Sequence, residues 1–217
     1  MAVAPVRVVI FDFDGTLADT LAVGIDACNA IAPEFGLRAV SRAEVPGLMG
    51  MTTRDALRSL GVPMHLVPAL VRRVRTQMRR RLPEVRLFDG IDAALADLHG
   101  AGIRLGVITS NSRANVELCL ERHGVIAWFE FIHSSTHLFG KDRALARVLR
   151  RLAVPASHAV YVGDQDRDLE AARRCRIPVV AVGWGYQSAA QLDGLHPDHL
   201  ATDPADLVRW LIGGARR

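Results

Sequence analysis

Lysine is nearly absent from this chain. Of its 27 lysine and arginine residues in 217, only Lys141 is a lysine. The three cysteines, Cys28, Cys119 and Cys175, are odd in number and widely spaced. None belongs to a Cys-x-x-Cys pair, so neither a disulfide framework nor a structural zinc site is expected. They fit reduced thiols in a cytoplasmic protein, with Cys28 and Cys119 as small buried hydrophobes. No apolar run approaches the roughly 18 residues that a membrane span needs. The apolar run that leads into Asp12 has no small-residue cleavage site behind it, and it reads as a first strand rather than a signal peptide. Aromatic residues make up 6%. None stands among Arg72, Arg73, Arg75, Arg79, Arg80 and Arg81, so this arginine run gives bases nothing to stack on. It reads as the solvated face of one helix that could draw in anionic metabolites by long-range attraction. Neither nucleic acid nor a membrane is an expected partner, and nothing here sets an oligomeric state.

What the chain does have is globular. Half its residues are hydrophobic, 23% are charged and the net charge is +4. That is enough apolar material for a core without metal or disulfide staples. Short apolar runs occur at residues 6–11, 103–108, 129–133, 159–162, 178–182 and 199–201. Helical patterns lie between them, at 91–99, 113–123, 142–152 and 168–176, and another opens at Asp203-Pro204. Continuous apolar strands alternating with amphipathic helices predict an α/β fold, with a Rossmann-like parallel sheet covered on both faces.

One interval is too long. About 90 residues separate the first two strands, where a crossover helix needs only a dozen or so. Residues 21–87 have helical periodicity, broken at Pro33, Gly36, Pro46-Gly47 and Gly61-Val62-Pro63, with no clear strand pair. The expected organisation is a core of residues 1–19 and 88–217, with an all-helical cap of residues 20–87 inserted after the first strand.

Ligands of open α/β sheets bind beyond the carboxyl ends of the strands. The first strand ends in Asp12-Phe13-Asp14-Gly15-Thr16, the second in Thr109-Ser110-Asn111, and the fourth in Gly163-Asp164-Gln165-Asp166-Arg167-Asp168. The loop after the third carries Gly140-Lys141. Carboxylates gathered at one edge repel one another unless a cation neutralises them. An all-oxygen set suits magnesium. A carboxylate can attack phosphorus, a lysine and a metal can hold the charge, and a second carboxylate can protonate the departing alcohol and then activate water. Positions two apart in an extended strand lie on one side, which would let Asp12 and Asp14 address one ligand. Asp166 reads as a solvated neighbour. His123, His133 and His137 lack metal-ligand spacing.

These motifs, in this order, resemble the haloacid dehalogenase superfamily, and within it the phosphoglycolate phosphatase-like group with a helical cap. Asp12-Phe13-Asp14-Gly15-Thr16 matches the first motif, Thr109 the second, Lys141 the third, and Gly163-Asp164 with Asp168 the fourth. The resemblance implies a magnesium-dependent phosphatase of a small phosphorylated metabolite, either phosphoglycolate-like or a sugar phosphate, working through an aspartyl-phosphate. It implies Asp12 as nucleophile and Asp14 as general acid/base that also lends its main-chain carbonyl to Mg2+. It implies Thr109, Ser110, Asn111 and Thr16 around the phosphoryl group, and Lys141 beside Asp12. Asp164 would be a metal ligand, and Asp168 a direct or outer one. Gly47-Leu48-Met49-Gly50 followed by Arg54 resembles the cap segment that faces the substrate, and Trp184-Gly185-Tyr186 a far wall. Asp142 after Lys141, and Asp89 before Gly90, depart from the family's prolines. A phosphomutase on the same core, or a non-catalytic binding protein, are the alternatives. Dehalogenase chemistry is disfavoured because Asp14 is present, and phosphonate cleavage because no lysine is left for a Schiff base.

Overall fold

The computed structural model describes residues 5–135 and 140–213; His137 lies outside them. The elements run β1 (Val8–Phe11), β2 (Ala18–Asp19), α1 (Leu21–Ile31), α2 (Val45–Met49), α3 (Thr53–Ser59), α4 (Val67–Met78), β3 (Arg86–Leu87), α5 (Ile91–Gly100) and β4 (Arg104–Thr109). They continue with α6 (Arg113–Arg122), β5 (Phe129–Ser134), α7 (Lys141–Leu152), β6 (Ala159–Gly163), α8 (Asp166–Arg174), β7 (Val179–Val182), α9 (Ala189–Asp193), β8 (His199–Ala201) and α10 (Pro204–Gly213).

Six strands form one parallel sheet in the order β5-β4-β1-β6-β7-β8. The sequence order reverses at β1, so the crevice at its carboxyl end is where such folds bind ligands. Both faces are buried. Val9, Phe11, Leu105, Val107, Val160 and Val162 pack on one side, and Val8, Ile10, Ile108 and Tyr161 on the other. This is why these strands read as continuous apolar runs rather than as alternating ones. Gly106 is forced by packing. A Cβ there would stand 2.0 Å from Cζ of Phe131, its partner across β4 and β5.

Between β2 and β3 every element is helical, as expected of that stretch. Two details differ. Pro46-Gly47 does not interrupt a helix; Pro46 sits in the first turn of α2, where its missing N–H costs nothing. The segment is also closed at its base by an antiparallel ribbon, Ala18 opposite Leu87 and Asp19 opposite Arg86. Strands of two residues are too short to display a periodicity.

The arginine run is not a uniform solvated face. Arg72, Arg79 and Arg80 are exposed. Arg73 pairs with Glu34, and Arg81 with Asp26 and Glu84. Arg75 turns inward, because residues 71, 74, 75 and 78 share one side of α4. Cys119 is buried as expected, whereas Cys28 is exposed.

Candidate active site

The site is assembled at the ends of β1, β4 and β6 and the start of α7. The Asp12 amide donates to Val162 O at 2.8 Å, which continues the sheet one residue past β1. The chain then turns at Gly15, where φ is +78°. A Cβ there would also lie 2.1 Å from Oδ2 of Asp164, so only glycine lets the two loops meet.

Asp12 is 1% exposed. Its Oδ1 accepts from the Phe13 amide at 2.7 Å. Lys141 Nζ lies 2.6 Å from Oδ2, an ionic approach outside hydrogen-bond alignment, so this buried oxygen has no hydrogen-bond donor among the described residues. Arg167 Nη2 is 3.8 Å from the same atom. Burial raises the Asp12 pKa, Lys141 opposes the rise and Asp168 adds to it.

Lys141, 2% exposed, also donates to Asp168 Oδ1 at 2.6 Å. Asp168 further accepts from the Tyr161 hydroxyl at 3.3 Å and the Gln165 amide at 3.1 Å. Both of its oxygens therefore already have protein donors. Asp164 takes the Thr16 hydroxyl at 3.0 Å and the Tyr186 amide at 2.7 Å. Its pKa is raised by burial, then by Asp168 and Asp12.

Asp14 points elsewhere. Its Oδ1 accepts from Thr20 Oγ1 and from Asn111 Nδ2, both at 2.9 Å. Burial and then the charge of Asp12 push its pKa up to about 6, while these two bonds restrain the rise. Strand alternation is not what places it, since β1 ends at Phe11 and Asp14 lies in the turn. Thr109, fully buried, accepts from the Asn111 amide at 2.9 Å, so its own O–H proton is available to donate.

One carboxylate oxygen from each of Asp12, Asp164 and Asp168 lies within 4.8 Å of the others. Three dry carboxylates, one of them holding an orphaned oxygen, fit a hard divalent cation.

Thr16 donates its hydroxyl to Asp164. Arg54 is exposed and does not line the cavity beside the site; two other cations of the helical segment do, Arg38 and Arg75, and Arg75 reaches the strand-end loops. Arg75 Nη2 donates to the carbonyls of Ser110 and Ser135. Asp166 is not solvated. It is buried, and it receives the Thr53 hydroxyl at 2.6 Å and amide at 3.1 Å. Gln187 bridges from Asp166 to the Met51 carbonyl, and the Ser188 amide reaches the Met49 carbonyl at 3.0 Å. Within Gly47–Gly50 it is the Met49 carbonyl that meets the core, with Met51 just after the segment. Trp184 donates to Thr16 O at 3.0 Å, and the Tyr186 hydroxyl meets Thr20 Oγ1, so the segment does form a wall. Arg167 is a site residue to which no motif gave a role.

Residues 9–182 match the family of haloacid dehalogenase-like hydrolases. A phosphoglycolate phosphatase of Synechococcus elongatus is 36% identical over 203 residues, covering 94% of this chain and 96% of that protein. A tyrosine-protein kinase of Mycobacterium tuberculosis is 30% identical over 190 residues, covering 86% of this chain and 65% of that protein. The crystal structure of a predicted phosphatase from Clostridium acetobutylicum superposes with a TM-score of 0.81 at 20% identity, covering 95% of this chain and 98% of that one.

Proposed function

The chain belongs to the haloacid dehalogenase-like hydrolases and is a phosphatase of that family, and from this premise we propose that it hydrolyses a phosphomonoester through an aspartyl-phosphate on Asp12, with Mg2+ as cofactor. The observation that carries this reading is the Asp12 carboxylate. It is buried at a strand end, lies 2.6 Å from the chain's single lysine, and one of its oxygens lacks a hydrogen-bond donor among the described residues.

Asp12 attacks phosphorus, and the bond from phosphorus to the alcohol oxygen breaks. Asp14 gives its proton to the departing oxygen. With its pKa raised to about 6, it can hold that proton near neutral pH and still release it. Asp14 then takes a proton from water, whose oxygen attacks phosphorus and breaks its bond to Asp12. Thr109 donates to a phosphoryl oxygen, with the Ser110 amide beside it, while the Asn111 amide holds the Thr109 oxygen. Lys141 offsets charge at Asp12, and Asp168 holds Lys141 in place. Asp12, the main-chain carbonyl of Asp14 and Asp164 would hold the Mg2+, with Asp168 at the same cluster. The metal supplies positive charge against the transferring phosphoryl group.

Residues 20–87 act as a cap over the core of residues 1–19 and 88–217, with the β2–β3 ribbon as the hinge and the Asp166–Thr53 and Gln187–Met51 contacts as the clasp. Closure excludes bulk water. The substrate is a small phosphorylated metabolite, and phosphoglycolate, named for the relative at 36% identity, carries the reacting group in one of its smallest forms.

Asp14→Asn tests the assignment. An aryl leaving group needs little protonation, whereas an alkyl alcohol needs much more. The variant should lose alkyl phosphates severely and, with an activated aryl phosphate, accumulate phosphoenzyme, read by rapid quench and intact mass. Equal modest losses on both substrates, with no added phosphoryl mass, would remove the acid/base role from Asp14.

A further inference from the structure

The helical segment is hollow. A cavity of about 370 Å³ runs between α1, α3 and α4, walled by Leu21, Ile25, Leu57, Leu60, Leu70 and Val74. Each of these six is only partly buried. Apolar faces of amphipathic helices ordinarily close on one another as densely as an organic crystal, so these walls lack part of their packing. The volume falls in the range of roughly 300–1,000 Å³ typical of small-molecule sites.

The cavity opens on the chemistry. Asp14, Ser110, Asn111 and Arg167 line the same space, with Arg75 beside them. An alcohol that takes its proton from Asp14 therefore departs into this cavity. The polar side chains of its helical walls have protein partners. Asn29 donates to the Val40 carbonyl at 2.9 Å and accepts from the Val40 amide at 2.7 Å, and Arg38, exposed at the rim, pairs with Glu44 at 2.6 Å. Hydroxyls of a sugar placed among leucines and valines would be left unpaired, which is costly.

We infer that this cavity holds the leaving group, and that the substrate is the phosphomonoester of an alcohol with an apolar body, alkyl or aryl, larger than two-carbon glycolate. The inference rests on the phosphatase reading above and adds to it the chemical class of the alcohol.

The test is kcat/KM for n-alkyl phosphates from ethyl to octyl, with phosphoglycolate beside them, and calorimetric binding of the matching n-alkylphosphonates, whose phosphorus–carbon bond this chemistry does not cleave. Full burial of a methylene is worth about fourfold. Allowing for incomplete contact, hexyl phosphate should exceed ethyl phosphate by at least about tenfold, and the phosphonates should tighten in parallel. Leu70→Trp and, separately, Leu57→Trp should each bring the hexyl-to-ethyl ratio back toward one; two variants guard against one that fails to fold. A flat or falling series in rate and binding overturns the inference, as does phosphoglycolate outrunning the hexyl ester. Phosphonate binding that tightens with chain length while no ester turns over would support the cavity assignment and overturn the phosphatase reading instead.

Discussion

Lys141→Met keeps the unbranched body of the side chain and removes its charged end. Nζ lies 2.6 Å from both Asp12 Oδ2 and Asp168 Oδ1, and the three side chains are 2%, 1% and 0% exposed. Breaking a buried pair from one side costs about 3–5 kcal/mol, because the partner is left charged and dry. Two carboxylates lose their shared cation here, yet Asp12 keeps Arg167 at 3.8 Å and Asp168 keeps the Tyr161 and Gln165 donors. The expected loss is therefore the single-pair figure rather than twice it. With a total stability of about 5–15 kcal/mol the variant should still fold. At an m-value of about 2 kcal/mol/M its urea midpoint should drop by about 2 M.

The loss has a pH signature. Burial already raises the Asp12 pKa, and Lys141 is the largest opposing influence. Removing the lysine lifts the folded value further above the unfolded one. A carboxyl raised in this way binds more protons folded than unfolded, so stability falls as pH rises through the window between the two values. Below the window both states are protonated and the penalty disappears. The gap between the parent protein and Lys141→Met should be widest at pH 8 and narrow toward pH 5, measured by urea unfolding with a chelator present. A variant as stable as its parent at pH 8, or a gap that widens toward pH 5, would refute the buried triad.

Asp12→Asn should keep its fold by circular dichroism and lose kcat by on the order of 10³-fold or more, since the amide cannot form the acyl-phosphate. Near-normal turnover, with deamidation excluded by mass, would move the nucleophile elsewhere. Excess chelator should abolish hydrolysis and added Mg2+ restore it; full activity in chelator would remove the metal. Gly106→Ala drives a methyl group into the Phe131 ring and should lower stability by about 1–3 kcal/mol, read as a reduced Tm. An unchanged Tm would mean that β4 and β5 do not meet in this register.

The central sheet was legible because its strands are buried on both faces, so every residue of a run such as Val8–Phe11 is apolar and the run stops where the sheet stops. The last strand, His199–Ala201, was found at its observed bounds for the same reason of punctuation, lying just before the Asp203-Pro204 helix start. What escaped is short. The five-residue α9 has less than two turns over which to show a period, and the β2–β3 ribbon has two residues on each side. Pro46-Gly47 was misjudged because proline breaks a helix interior but opens a first turn, and the sequence alone does not say which end of a helix it occupies.

The site divides along the same line. The gathering of Asp12, Asp14, Thr109, Lys141 and Asp164 at one edge was legible because each stands at or just past a strand end or at a helix start, and the topology carries those positions together. Asp166 was misread because its partner, 113 positions away, exists only in the fold, and the bond from Thr16 to Asp164, across 148 positions, is hidden from the sequence in the same way. The two arginines show what could have been done. Arg54 was placed toward the substrate because its segment resembles the family's cap, a relation along the chain, and it is exposed. Arg75 was set aside with its charged neighbours, although Val71, Val74 and Met78 stand at minus four, minus one and plus three from it. A cation on the apolar side of an amphipathic helix must either find partners inside or leave its face, and Arg75 finds the Ser110 and Ser135 carbonyls. Helical phase, applied to the charges as well as to the apolar residues, separates the one inward arginine from the run around it.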